Sequence, residues 1–309
     1  MIQNRRQNLR RAFFILLPAF VLGIVALYIV RDKSPLQIQY DIAYGEADGQ
    51  KLLLDVFRPN KQKENTGQKV QPAVIFIHGG AWEVGSKSEL RDLAIEFAKL
   101  GYVGFSADYR LVNKNGNHYP AQLDDVQRAV RWIRANADKY RVDPDRIGAL
   151  GLSAGGHLVA LLGTRETRDN RDPALAKYSS RVNCVVDMFG PTDLITHFSS
   201  KTSPGTDEEA ILVNFLGKTP TEAPELYRDA SPLYHIDRQT SPFLIFHGAI
   251  DELVSVDQSR RFYQALLQAG IEATYIEFPD EGHGFSKKEN LEKFLMETLA
   301  FFNRHLMQP

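Results

Sequence analysis

Ser153 stands in Gly151-Leu152-Ser153-Ala154-Gly155, directly after the apolar stretch "RIGALG" and ahead of "AGGHLVALLG". This fits G-x-S-x-G, in which a strained strand-to-helix turn pushes the serine hydroxyl into solvent and glycines on either side remove side chains that would clash. A serine alcohol is barely nucleophilic near neutral pH, so the reading requires a base and a group to orient that base. Asp251 follows the apolar run "FLIFHG", and His283 follows "YIEF" between Gly282 and Gly284. The order Ser, Asp, His is the one this kind of turn uses. Asp251 would hold the imidazole tautomer, while His283 would take the Ser153 proton and later donate it to a leaving group. Taken singly, Asp251 could cap the helix after it and His283 could be a surface loop residue; the shared order and strand context favour chemistry. Glu252, Asp280 and Glu281 are alternative acids that fit less well, because Asp251 stands closer to its strand and the other pair crowds the histidine loop.

Acyl chemistry also needs donors for a developing oxyanion, and "VIFIHGGAW" supplies them. Gly79 and Gly80 leave the backbone bare for close approach, and the N–H of Ala154 would complete the hole. Each such donor is worth about 3 to 4 kcal/mol of transition-state stabilisation. Trp82 either walls the pocket or packs under the loop. His78 and His157 read as loop-orienting residues. No His, Cys or carboxylate cluster has metal spacing, and neither a P-loop nor a dinucleotide glycine pattern is present, so no cofactor is expected.

These residues need a scaffold that brings distant loops together. Apolar runs rich in β-branched and aromatic residues recur at "KLLLDVF", "AVIFIH", "YVGFSADY", "RIGALG", "NCVVDMF", "FLIFHG" and "ATYIEF", with "LQIQYDIAY" as an opening edge strand. Several are continuously apolar, as in strands covered on both faces. Between them lie helical periods. Leu123, Val126, Val130, Ile133 and Ala137 recur at three- and four-residue spacing after Pro120; Phe262, Tyr263, Leu266 and Leu267 precede Gly270; Leu291, Phe294, Leu295, Thr298, Leu299 and Phe302 form a last helix. The alternation predicts an α/β fold with an eight-stranded, mostly parallel sheet flanked by helices, and functional loops at the carboxyl ends of the strands. About 40 residues between "DMFGPTDL" and "SPLYHI", roughly positions 191–235, form an insertion that would cover the serine as a lid or wall.

The first 35 residues read differently. Arg5, Arg6, Arg10 and Arg11 precede an uncharged run from Ala12 to Val30, long enough as a helix to span roughly 28 Å. The cations ahead of it predict a cytoplasmic N-terminus and place the domain over 36–309 outside, held by a transmembrane signal-anchor. The alternative is a secreted protein with a cleaved signal, which usually has a shorter apolar stretch and a small-x-small cleavage site. Six of the 37 basic residues but only one of the 38 acidic ones fall in the first 33 positions, leaving a mildly acidic globule with no nucleic-acid surface. Cys184 is the only cysteine, so no intrachain disulfide forms; it reads as a buried small hydrophobe.

The stretches "HGGAWEVGSK", "FSADYRL", "YPAQLDDVQRAVRWIRANA", "DPDRIGALGLSAGGHLVALL", "FHGAIDELV" and "GHGF" together resemble the α/β-hydrolase superfamily, in its branch of BD-FAE and hormone-sensitive-lipase-like bacterial carboxylesterases. The resemblance covers roughly residues 38–306. It implies Ser153 as nucleophile, Asp251 as acid, His283 as base, and Gly79, Gly80 and Ala154 as oxyanion donors. Ala81 stands where the hormone-sensitive-lipase group has a third glycine, which fits the BD-FAE and kynurenine-formamidase-like subgroups better. The expected activity is a short-acyl carboxylesterase acting on small-molecule or glycan esters, including acetylated or feruloylated sugars. The rival activities are amide hydrolysis on the same triad, as an arylformamidase or peptidase, and a non-catalytic binding module.

Overall fold

The computed structural model describes residues 36–60, 70–113, 116–199 and 207–307. The basic stub and the apolar run assigned to a membrane anchor lie outside the described residues. Among the described residues no helix is long and apolar enough to cross a membrane.

Eight strands form one sheet in the order β1-β2-β4-β3-β5-β6-β7-β8. They are β1 (Leu36–Ala47), β2 (Gln50–Pro59), β3 (Gln71–Ile77), β4 (Val103–Ala107), β5 (Val142–Leu152), β6 (Cys184–Met188), β7 (Phe243–Gly248) and β8 (Ala273–Phe278). β1 and β2 run antiparallel to their neighbours, and β3 to β8 are parallel. The buried strands are those with continuous apolar runs: every residue of β4, β6 and β7 is buried. β1, at the edge, alternates between partly buried and exposed positions, as expected of a strand with one wet face.

Two apolar layers cover the sheet. On one face α2 (Ala121–Ala135), α3 (Ala154–Thr164) and α7 (Asp257–Gln268) contribute Leu123, Val126, Val130, Leu158, Leu162, Phe262 and Leu266. On the other, α1 (Arg91–Lys99) and α8 (Lys288–Phe302) contribute Leu93, Phe97, Leu291, Phe294 and Phe302. The period ending at Ala137 is broken: Asn136 leaves helical geometry and Ala137 opens a separate turn. The described residues of the insertion form three short α-helices, α4 (Leu194–Ser199), α5 (Asp207–Leu216) and α6 (Pro224–Asp229), and a 3₁₀ turn at Pro232–His235. Cys184 is buried in β6.

Register decides where the loops go. Ile77 pairs with Gly151, Leu152 with Met188, Met188 with Phe246, and Gly248 with Phe278. The carboxyl ends of β3, β5, β6, β7 and β8 are therefore level, and the loops carrying Gly79, Ser153, Phe189, Asp251 and His283 leave the sheet along one edge. This is the crevice at which open parallel sheets hold ligands.

Candidate active site

The turn from β5 into α3 is built by backbone crowding. Ser153 lies in the left-handed region with φ 54° and ψ −118°, and its N–H donates to the Met188 carbonyl at 2.9 Å. A Cβ on Gly151 would come within 2.2 Å of the Gly155 carbonyl oxygen, and one on Gly155 within 2.1 Å of the Ile77 carbonyl oxygen. The two glycines are thus required by β3 and α3 packing against the turn, not by flexibility.

The Ser153 Oγ lies 2.8 Å from His283 Nε2, and His283 Nδ1 lies 2.7 Å from Asp251 Oδ2. Asp251 Oδ1 accepts the N–H groups of Leu253 and Val254 at 2.8 and 2.9 Å. Burial alone would push the Asp251 carboxyl up, but hydrogen bonds from His247 and His283 outweigh it and hold the group well below the usual carboxylate range. An ionised carboxylate only accepts, so His283 Nδ1 carries the proton and its Nε2 faces the serine hydroxyl as acceptor. Of the acids weighed from sequence, Asp251 is the one on His283. Glu281 is instead buried as a brace for the histidine loop, accepting the N–H groups of Ser286 and Lys287 and the Asn290 side-chain amide. Asp280 pairs with Lys287 at the surface.

Gly79 stands against the turn: a Cβ there would sit 3.4 Å from Ser153 Cβ and 3.0 Å from the Leu152 carbonyl oxygen. Gly80 has φ +108°, and a side chain on it would meet the Val84 carbonyl oxygen at 2.1 Å. Ala154 opens α3, where a backbone N–H has no partner within the helix. Tyr109, stacked on the His78 ring at 4.3 Å, donates its hydroxyl to the carbonyls of His78 and Gly79. His78 in turn bonds the Gly79 carbonyl through Nδ1, and His157 bonds the Ala230 carbonyl through Nε2. Both histidines serve loop geometry, as their positions suggested.

Of the two readings of Trp82, packing describes its surroundings. The residue is 3% exposed, its ring stacked on Phe215 of α5 at 4.0 Å and set edge-on to His157. The insertion is therefore fastened to the glycine loop. Three further residues at the site were not singled out from sequence. Phe189, at φ 44°, lays its ring 4.6 Å from that of His283; His247 and Ser259 stand behind Asp251. The pattern at His247-Gly248 suggests a tight turn, but both residues belong to β7, and a buried histidine and a helix serine have no motif that announces them. Among the described residues no group of three or more His, Cys or carboxylate side chains is arranged to hold a metal ion.

Strand order, the turn at Ser153 and the level strand ends define the α/β-hydrolase fold. The chain belongs to the BD-FAE family, whose model matches residues 54–266. It is 34% identical over 253 residues to esterase LipC of Mycobacterium tuberculosis, covering 79% of this chain and 59% of that protein. The chain thus spans about six-tenths of the length of that relative. Among solved structures, a truncated carbohydrate esterase from gut microbiota superposes with a TM-score of 0.74 at 28% identity, covering 90% of this chain and 99% of that one. Esterase Est2 of Thermogutta terrifontis with butyrate bound gives 0.71 at 28% identity, covering 88% and 94%.

Proposed function

We propose that the chain is a serine carboxylesterase that hydrolyses short-acyl esters, including acetyl or feruloyl esters of sugars, through an acyl-enzyme. The observation that carries this is the unbroken hydrogen-bonded chain from Ser153 Oγ through His283 to Asp251. In the first half-reaction His283 Nε2 takes the hydroxyl proton as Ser153 Oγ attacks the ester carbonyl, and Asp251 stabilises the imidazolium. The backbone N–H groups of Gly79, Gly80 and Ala154 receive the oxyanion, and His283 returns its proton to the departing alcohol. Water then repeats the sequence on the acyl-serine. The names of the relatives, an esterase and a carbohydrate esterase, and the butyrate held by Est2 support the substrate class.

The test is hydrolysis of p-nitrophenyl acetate, butyrate and octanoate, and release of acetate from acetylated xylo-oligosaccharides, by wild type and Ser153→Ala. Wild type should favour acetate or butyrate, with at least about a thousand-fold loss in the variant. A folded wild type inert on every ester, or a variant as active as wild type, overturns the reading. We also propose that the uncharged run Ala12–Val30 anchors the domain outside the cytoplasm, supported by the four arginines ahead of it. Membrane fractionation of the full chain beside one beginning at Ser34, with protease added to whole cells, tests this; a soluble full chain overturns it.

A further inference from the structure

Asp251 meets a second histidine. His247, the next-to-last residue of β7, is fully buried, and its Nε2 lies 3.1 Å from Asp251 Oδ2 and 2.9 Å from the Val254 carbonyl oxygen. A carbonyl and an ionised carboxylate both only accept, so Nε2 carries the proton and is shared between them. Nδ1 lies 2.7 Å from the hydroxyl of Ser259, a fully buried residue on α7. The Ser259 hydroxyl can donate or accept, so the Val254 carbonyl and the Asp251 carboxylate set the proton on Nε2, and Ser259 holds the ring in place from the other side. The carboxylate is consequently divided: Oδ1 takes the backbone of Leu253 and Val254, while Oδ2 takes one N–H from His247 and one from His283. With His247 on one side of Oδ2, the remaining direction is the one along which His283 Nδ1 approaches.

We infer that His247, held in place by Ser259, is a positioning residue that aims Asp251 at His283 and shares the carboxylate charge during turnover. The inference rests on the hydrolase reading above. A buried histidine with satisfied nitrogens would also stabilise the fold, so the test must read something that stability does not move. The other charged groups facing His247 are Asp187 at the end of β6 and Glu277 on β8, the latter held by Arg260 of α7 at 2.8 and 2.9 Å. Neither bonds His283; the Phe189 ring lies 6.4 Å from that of His247 and 4.6 Å from that of His283, and Ser259→Ala, which leaves the His247 ring in the protein, separates that route from the one through Asp251.

The variants are His247→Phe, His247→Gln and Ser259→Ala in the full chain. For each, the pH profile of kcat/KM on p-nitrophenyl acetate is measured together with an NMR titration of the His283 ring, which needs no turnover. Without the second donor, Oδ2 concentrates its charge on His283 and holds the imidazolium more tightly. In His247→Phe, kcat should fall about ten-fold with KM within about two-fold, and both the acidic limb and the ring midpoint should move up by about half a pH unit or more. The Gln variant, which keeps an N–H, should return toward wild type, and Ser259→Ala should move both readouts the same way by less. Folded variants whose limb and ring midpoint stay at the wild-type position overturn the inference. If His247→Phe does not fold, Ser259→Ala decides. If wild type hydrolyses no ester, the hydrolase reading fails and the NMR midpoints alone decide this one.

Discussion

Asp187, the fourth residue of β6, is fully buried with Oδ1 on the Gly190 N–H, while Oδ2 has no hydrogen-bond partner among the described residues. Burial pushes its carboxyl up to about 6 despite that bond and the nearby His247. A group raised above its unfolded value of 3.8 stabilises the fold below that pH, and the contribution is lost as pH rises through about 6. Asp187→Asn should therefore gain on wild type by about 2 to 3 kcal/mol between pH 4 and pH 7.5, read from denaturant midpoints at the two pH values. A constant difference would mean that the carboxyl does not titrate there. At this scale sequence reading was uneven for a physical reason. Ser153, Asp251, His283 and Gly79 were legible because each follows the end of an apolar strand, and all but Asp251 have glycines within two positions. Asp187, His247, Ser259 and Phe189 were not, because Ser259 stands 12 positions from His247, Phe189 meets a ring 94 positions on, and nothing in composition distinguishes Asp187 or His247 from ordinary core.

Among the elements, the strands and long helices followed from periodicity, since buried parallel strands must be apolar throughout and amphipathic helices must repeat. The insertion did not, because its helices are short and its packing is set by contacts with residues distant in sequence, centred on Phe215. Phe215 is fully buried, stacked on Trp82 and edge-on to Tyr119 and His157. The Tyr119 N–H also donates to the Phe215 carbonyl, and Asn214 bonds Glu83 in the glycine loop. α5 is thus a strut on the segment that carries Gly79 and Gly80, whose neighbours Ala81 and Trp82 sit at φ 53° and 60°. Phe215→Ala should cost about 3 to 5 kcal/mol of stability. If α5 acts through the loop, kcat/KM should fall to a similar extent for acetate, butyrate and octanoate. A variant that instead gains on octanoate would make Phe215 a pocket wall.

At the scale of the whole molecule, one sheet carries two apolar layers with ionisable groups buried among them. His78 and His157 are two of these, each lowered by burial from 6.5 to about 4. A histidine depressed in this way binds its proton more readily unfolded, so stability is present above about 6.5 and is lost as pH falls toward 4. Two such rings outweigh the opposite trend of Asp187. The melting temperature should decline steadily from pH 6.5 to pH 4, and a flat or rising profile would contradict the neutral, buried assignment of both rings.

The dihedral angles at Ser153 carry a further consequence. An L residue with a Cβ held at φ 54° and ψ −118° is strained by about 1 to 3 kcal/mol wherever it occurs, whereas glycine is not. Ser153→Gly should melt several degrees above Ser153→Ala and above wild type while hydrolysing nothing. The fold would then be more durable without its nucleophile, and the serine at this position would be kept for what it does to substrates at the expense of how long the protein lasts.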